Sequence, residues 1–131
     1  MSGLTADKEA QVINDIVLAG GSVFIALHTA DPGNDPDGTT EVTATGYSRQ
    51  EVTDADWALN GSGPTTLTNT AVIDFPTLEQ DAGTITHATL NDGGTIGDAD
   101  AVLVGTVDPQ KLFEAGDFPR YDTNNITFDI D

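Results

Sequence analysis

Apolar residues recur at two different spacings along this chain, and the change from one to the other marks its plan. Between Thr5 and Ala19, Val12, Ile13, Ile16 and Val17 fall at helical spacing and make one apolar stripe, which predicts an amphipathic helix. Thr5 can cap it, Asp7 and Glu9 sit near its positive end, and Gly20-Gly21 stops it. From Ser22 onward the period drops to two. Ser22 to His28 reads as a strand, with further strands predicted at Tyr47 to Thr53, Thr65 to Phe75, Thr84 to Asn91, Ala101 to Val107 and Asn125 to Ile130. In the last of these, Ile126, Phe128 and Ile130 alternate with Thr127 and Asp129, the pattern of a strand with one wet face.

Clusters of Gly, Asp, Asn and Pro separate the strands, and the densest, Ala30 to Gly38, holds two prolines and two glycines that forbid regular pairing. Nineteen threonines strengthen the β reading, because a β-branched side chain suits a pleated surface and Thr tolerates either face. The 131 residues suffice for one two-layer core and not for two. The prediction is therefore a single mainly β domain over residues 1–131, an antiparallel β-sandwich or jelly roll with one N-terminal α-helix.

Charge changes the picture of its surroundings. Seventeen Asp and five Glu face two Lys and two Arg, a formal charge of −18. Repulsion among exposed carboxylates reaches about 10 Å at 0.1 M salt and about 3 Å at 1 M, so molar salt makes such a surface tolerable and a hypersaline habitat is expected. Disorder does not fit, because 37% of residues are apolar and fall in patterned runs. Four dispersed cations cannot form the basic stripe that phosphate neutralisation needs, so no nucleic-acid partner is expected. Met1 leads into polar residues with no signal-peptide pattern, and no apolar run approaches spanning length, so membrane insertion is not expected. Without cysteine, the fold relies on its core and its neighbours.

Candidate chemistry is sparse. His28 and His87 lie on predicted strands with no Cys or nucleophile-elbow Ser to accompany them, so no catalytic residue is assigned. The carboxylates of Asp31, Asp35 and Asp37 crowd one loop as hard-cation ligands would. That loop lacks the closing Glu of an EF-hand and Pro36 stiffens it, so an acidic turn with no metal and no cofactor is expected. Tyr47, Trp57, Phe75, Phe113, Phe118 and Tyr121 suit either a carbohydrate-binding platform or the packing of core and interface, and packing is the expected role. Interface candidates are Val12, Ile13, Ile16 and Val17 of the stripe together with Trp57, Phe118 and Tyr121.

A series of motifs then carries a family resemblance: Phe24-Ile25-Ala26-Leu27-His28-Thr29-Ala30-Asp31-Pro32-Gly33, then Glu41-Val42, then Gly46-Tyr47-Ser48-Arg49-Gln50. It resembles the small structural proteins of tailed phages known as tail fibre or capsid fibre proteins. The likeness continues through Asn69-Thr70-Ala71, Phe75-Pro76, Gly83 to His87, Ala115-Gly116-Asp117 and Ile126 to Asp131, with departures at Ala88-Thr89-Leu90 and Phe118 to Tyr121. The resemblance implies a non-enzymatic subunit on the virion exterior, made in the host cytoplasm, that either decorates the capsid or anchors a turret or fibre. A tail fibre or baseplate part is the alternative, and a carbohydrate-binding receptor module the alternative of another class. Acidity added to that resemblance points to a virus of haloarchaea. Expected partners are other virion proteins and further copies of the chain in a trimer or ring.

Overall fold

The computed structural model describes residues 23–33, 38–52, 57–60, 66–99 and 101–129, with backbone alone for 57–60 and 129. The strands described are β1 (Val23–His28), β2 (Gln50–Val52), β3 (Trp57–Asn60), β4 (Thr66–Asn69), β5 (Ile73–Asp74), β6 (Gly83–Asn91), β7 (Ala101–Phe113), β8 (Arg120–Tyr121) and β9 (Ile126–Asp129). All pair antiparallel, seven of them in one sheet of order β2-β1-β6-β7-β9-β4-β3, while β5 and β8 form a two-stranded ribbon. The mainly antiparallel β character read from the sequence is what the chain adopts. The helix expected at Thr5 to Ala19 lies outside the described residues.

Connectivity forces the large sheet to curl. Val52 ends β2 and Trp57 begins β3, at opposite edges of the seven strands. Five Cα-to-Cα steps reach at most about 18 Å, whereas six strand spacings across a flat sheet cover about 29 Å. The edges must therefore bend toward each other.

The register shows which side is enclosed. Leu27, Ala88, Gly105, Phe128 and Leu67 stand side by side on five adjacent strands and all are buried. The next row, on the other face, runs His87, Thr106, Thr127 and Thr68, and is partly or fully exposed. Threonine thus supplies the β-branched, half-wet face that its abundance suggested. Gly105 sits in the buried row because a Cβ there would lie 2.2 Å from the Thr127 carbonyl oxygen and 2.6 Å from the Phe128 ring. The ribbon adds Ile73 and Tyr121 to the core, where the Phe75 ring stacks on Tyr47 at 6.2 Å and meets Tyr121 edge-on at 6.3 Å.

Three boundaries differ from the sequence reading. Thr65 to Phe75 is not one strand, because the buried Asn69 side chain turns the chain: its Nδ2 donates to the carbonyls of Ala71 (2.8 Å) and Asp122 (2.9 Å), and its Oδ1 accepts from the Ile126 N–H (2.9 Å). β7 runs beyond Val107 through the cis Asp108-Pro109 bond to Phe113. Its register on β6 jumps there, from His87↔Thr106 to Ile85↔Lys111, so Pro109 occupies an irregularity where no ladder donor is required. Of the strand expected over Tyr47 to Thr53, the described residues pair only at Gln50–Val52, since Tyr47 and Arg49 turn inward instead.

Candidate functional site

Among the described residues, the most concentrated chemistry is a buried polar clamp built on the motif residues Glu41, Tyr47 and Arg49. Glu41 reaches it because segment 40–42 lies along the end of β1: Thr29 N–H donates to the Thr40 carbonyl, Val42 N–H donates to the Leu27 carbonyl, and Glu41 bridges His28. A turn closed by Tyr47 N–H on the Ala44 carbonyl then brings Tyr47 and Arg49 back over Glu41. Gly46 makes that turn with φ +96°, and a Cβ there would meet the Thr77 carbonyl oxygen at 2.6 Å.

Four donors converge on the Glu41 carboxylate. Oε2 accepts from Tyr47 Oη (2.6 Å) and Arg49 Nε (3.0 Å), and Oε1 accepts from Arg49 Nη2 (2.9 Å) and Gly97 N–H (2.8 Å). Each side chain of the ion pair is 1% exposed. Arg49 also donates to the carbonyls of Gly93 (2.8 Å) and Asp98 (3.0 Å), and the Tyr47 hydroxyl accepts from Leu27 N–H (3.0 Å). The clamp therefore grips loop 92–99 at three backbone points and ties it to β1. Burial pushes the Glu41 carboxyl up, but the hydrogen bonds from Arg49, Tyr47 and Gly97 outweigh it and hold the group below its ordinary value. Burial beside that carboxylate raises the Tyr47 hydroxyl.

His28 lies next to this clamp with both ring nitrogens engaged, Nδ1 with Thr40 Oγ1 and Nε2 with Thr89 Oγ1, each at 2.8 Å. Burial, opposed by Glu41 and helped by Arg49 and His87, brings its pKa down to about 4. A neutral imidazole held between two hydroxyls and a carboxylate saturated by four donors have no spare capacity to move a substrate proton. The arrangement is an anchor for a loop.

The residues singled out from the sequence scatter. Val12, Ile13, Ile16, Val17, Asp35 and Asp37 lie outside the described residues. Asp31 folds back on its own turn, its Oδ1 accepting from Gly33 N–H at 2.9 Å. Among the described residues no three His, Cys, Asp or Glu gather as metal ligands would. Trp57 opens β3 at an edge of the sheet. Phe118 is 52% exposed, whereas Tyr121 is 1% exposed and packs inside the chain against Phe75. Tyr47, Phe75 and Phe113 are buried as well, so among the described aromatics no stacked surface platform forms. The clamp itself was missed as a unit because one Glu among twenty-two acidic residues looks uninformative. The available signal was Arg49, one of only four cations in a chain that otherwise dispenses with them.

The described residues also form a surface cleft of about 280 Å3 lined by Gln50, Glu51, Val52, Val72, Ile73 and Asp74. Val72 is 42% exposed on its rim.

Comparison with curated proteins returns no match. A family model does match, that of the podophage GP4 fiber I protein gp80, over residues 12–129. That span takes in every strand described above, the Glu41–Arg49 clamp and the Asn69 turn. Over nine-tenths of its length, the chain belongs to the family of the podophage GP4 fiber I protein gp80.

Proposed function

We propose that this chain is a non-enzymatic structural subunit on the exterior of a tailed virus, where it decorates the capsid or anchors a turret or fibre. The observation that carries this reading is the match of residues 12–129 to a family described by a podophage fibre protein. The site geometry supports it from the other side. The motif residues that define the likeness are consumed in holding the fold, with Glu41, Tyr47, Arg49 and Asn69 all buried and bonded within the chain. The fibre in the family description gives weight to the second position in the same class, a tail fibre or baseplate part.

The curled seven-strand sheet with its two-strand ribbon is read as the sandwich-like or jelly-roll-like body expected from the strand count. A net charge of −18 supports a particle that works in molar salt, as a virus of haloarchaea would. Repeated copies on a symmetric particle favour a trimer or ring.

Locating the chain in the density of intact particles, or labelling it with gold on them, tests the reading. Density on the outer surface is the expected result. A position inside the head, or absence from purified particles, would overturn it. Light scattering in 3 M potassium chloride tests the assembly, which fails if the chain is monomeric both there and on the particle.

A further inference from the structure

Two strand edges face each other across the cleft. β2 pairs with β1 and β5 pairs with β8, and among the described residues neither has a second strand neighbour. One wall of the cleft is Gln50, Glu51 and Val52, the whole of β2, and the other is Val72 with Ile73 and Asp74, the whole of β5. An edge strand turns alternate N–H and C=O groups away from its partner, so both walls offer main-chain donors and acceptors. A short stretch of extended chain is the occupant whose own backbone matches such walls.

Side chains around the cleft define that segment further. Val52 and Ile73 border the cleft but are buried in the core, so Val72, half-exposed, supplies its apolar contact. Glu51 and Asp74 are exposed, and Asp122 stands beside Asp74: Arg120 Nε lies 3.5 Å from Asp74 Oδ1 and 3.7 Å from Asp122 Oδ1. Asp74 and Asp122 thus share one guanidinium, and Glu51 adds a further carboxylate to the cleft lining. A second copy of this chain, itself carrying −18, is a poor match for that surplus. A strand that alternates apolar residues with Lys or Arg is a good one.

We propose that the cleft between β2 and β5 accepts, by strand addition, an extended segment of a partner protein in which apolar residues alternate with Lys or Arg. This rests on the structural-subunit reading only for the partner's place on the particle; the binding chemistry is independent of it.

The test uses the full chain in 1 M potassium chloride, where screening suppresses diffuse attraction, with two synthetic peptides as probes: Lys-Val-Lys-Val-Lys and Glu-Val-Glu-Val-Glu. Amide hydrogen exchange read by NMR should slow at residues 50–52 and 72–74 with the Lys peptide, by roughly tenfold when it is present at ten times its Kd. The Glu peptide should leave these amides unchanged, and Glu51→Lys should weaken the Lys peptide while the variant keeps the parent's melting temperature.

Unchanged amides on both strands, protection spread over the whole surface, or equal protection by the two peptides would each overturn the proposal. So would protection of the same amides by self-association in the absence of peptide, which would make a second copy the occupant. Peptide protection together with an interior particle position would sink the exterior-subunit reading alone. An exterior position without protection would sink this proposal alone.

Discussion

Replacing Arg49 by Met keeps most of the stem and removes the guanidinium, leaving the Glu41 carboxylate inside with only Tyr47 Oη and Gly97 N–H as donors. Both side chains of the pair are 1% exposed, so water does not screen them. Breaking one partner out of a buried pair costs about 3–5 kcal/mol, because the remaining charge has lost its compensation. The carbonyls of Gly93 and Asp98 lose their donor too, so loop 92–99 should loosen in the same step. For a domain of this size, 1 kcal/mol moves the melting temperature by about 3–5 °C, so Arg49→Met should melt roughly 10–20 °C lower. Thermal and urea unfolding followed by circular dichroism at 3 M potassium chloride measures this. The double variant Glu41→Gln/Arg49→Met strands no charge and should recover part of the loss, which a double-mutant cycle isolates. A loss for Arg49→Met below about 1 kcal/mol, the range of exposed ion pairs, would refute the argument. A loss that shrinks steeply with added salt would do the same, because a buried pair lies beyond the reach of screening ions.

Protonation offers a second check: His28 has its pKa lowered from 6.5 to about 4 in the fold, so the unfolded chain binds the extra proton first, and stability should fall as pH drops from about 6.5 to about 4 and then level off for this group. His28→Asn should flatten that segment of the stability profile, and an unaltered slope would refute the assignment. Glu41, held below its ordinary value, contributes stability above about pH 4.5 that is lost as pH falls further, so Glu41→Gln, which strands the Arg49 charge and lowers stability throughout, should also flatten the acid limb. Gly105→Ala places a methyl group 2.2 Å from the Thr127 carbonyl and should cost about 1–3 kcal/mol in urea titrations, in contrast to an exposed control on the neighbouring position such as Thr106→Ala. Finally, the β signal and the melting temperature should both rise between 0.1 M and 3 M potassium chloride, and a melt unchanged by salt removes the main support for a hypersaline setting.

The sequence was legible where one periodic pattern matched one strand with one buried face. β1, β6 and β9 lie within a residue or so of their expected places because alternation there reflects a real inner row, Leu27, Ala88 and Phe128 among it. Legibility failed where side chains overrode the ladder. Asn69 carries β propensity on both flanks, yet its amide satisfies three backbone groups and divides the strand in two. Tyr47 and Arg49 alternate as strand residues do, yet their tips serve Glu41. Pro109 lies past the expected end at Val107 and sits in an irregularity of a longer strand. β8, two residues long, carries no periodicity to read. The candidate site was half visible: the motif named the clamp residues, but only their burial and mutual distances turned a family likeness into a physical role.

Strand direction gives the molecule a base and a tip. β1 begins at Val23 and β9 ends at Asp129, and three antiparallel steps through β6 and β7 place those two points at the same end of the sheet. Loop 92–99, which joins β6 to β7 at that end, folds back along β1 to Glu41 beside His28, so the clamp ties the base to the segment that follows β1. The opposite end carries the Asp31 turn, the segment that follows Phe113 with its exposed Phe118, and the turn at 122–125. Load entering at Val23 and Asp129 would therefore be shared between β1 and the loop that Arg49 staples to it, before it reaches the end that carries Phe118.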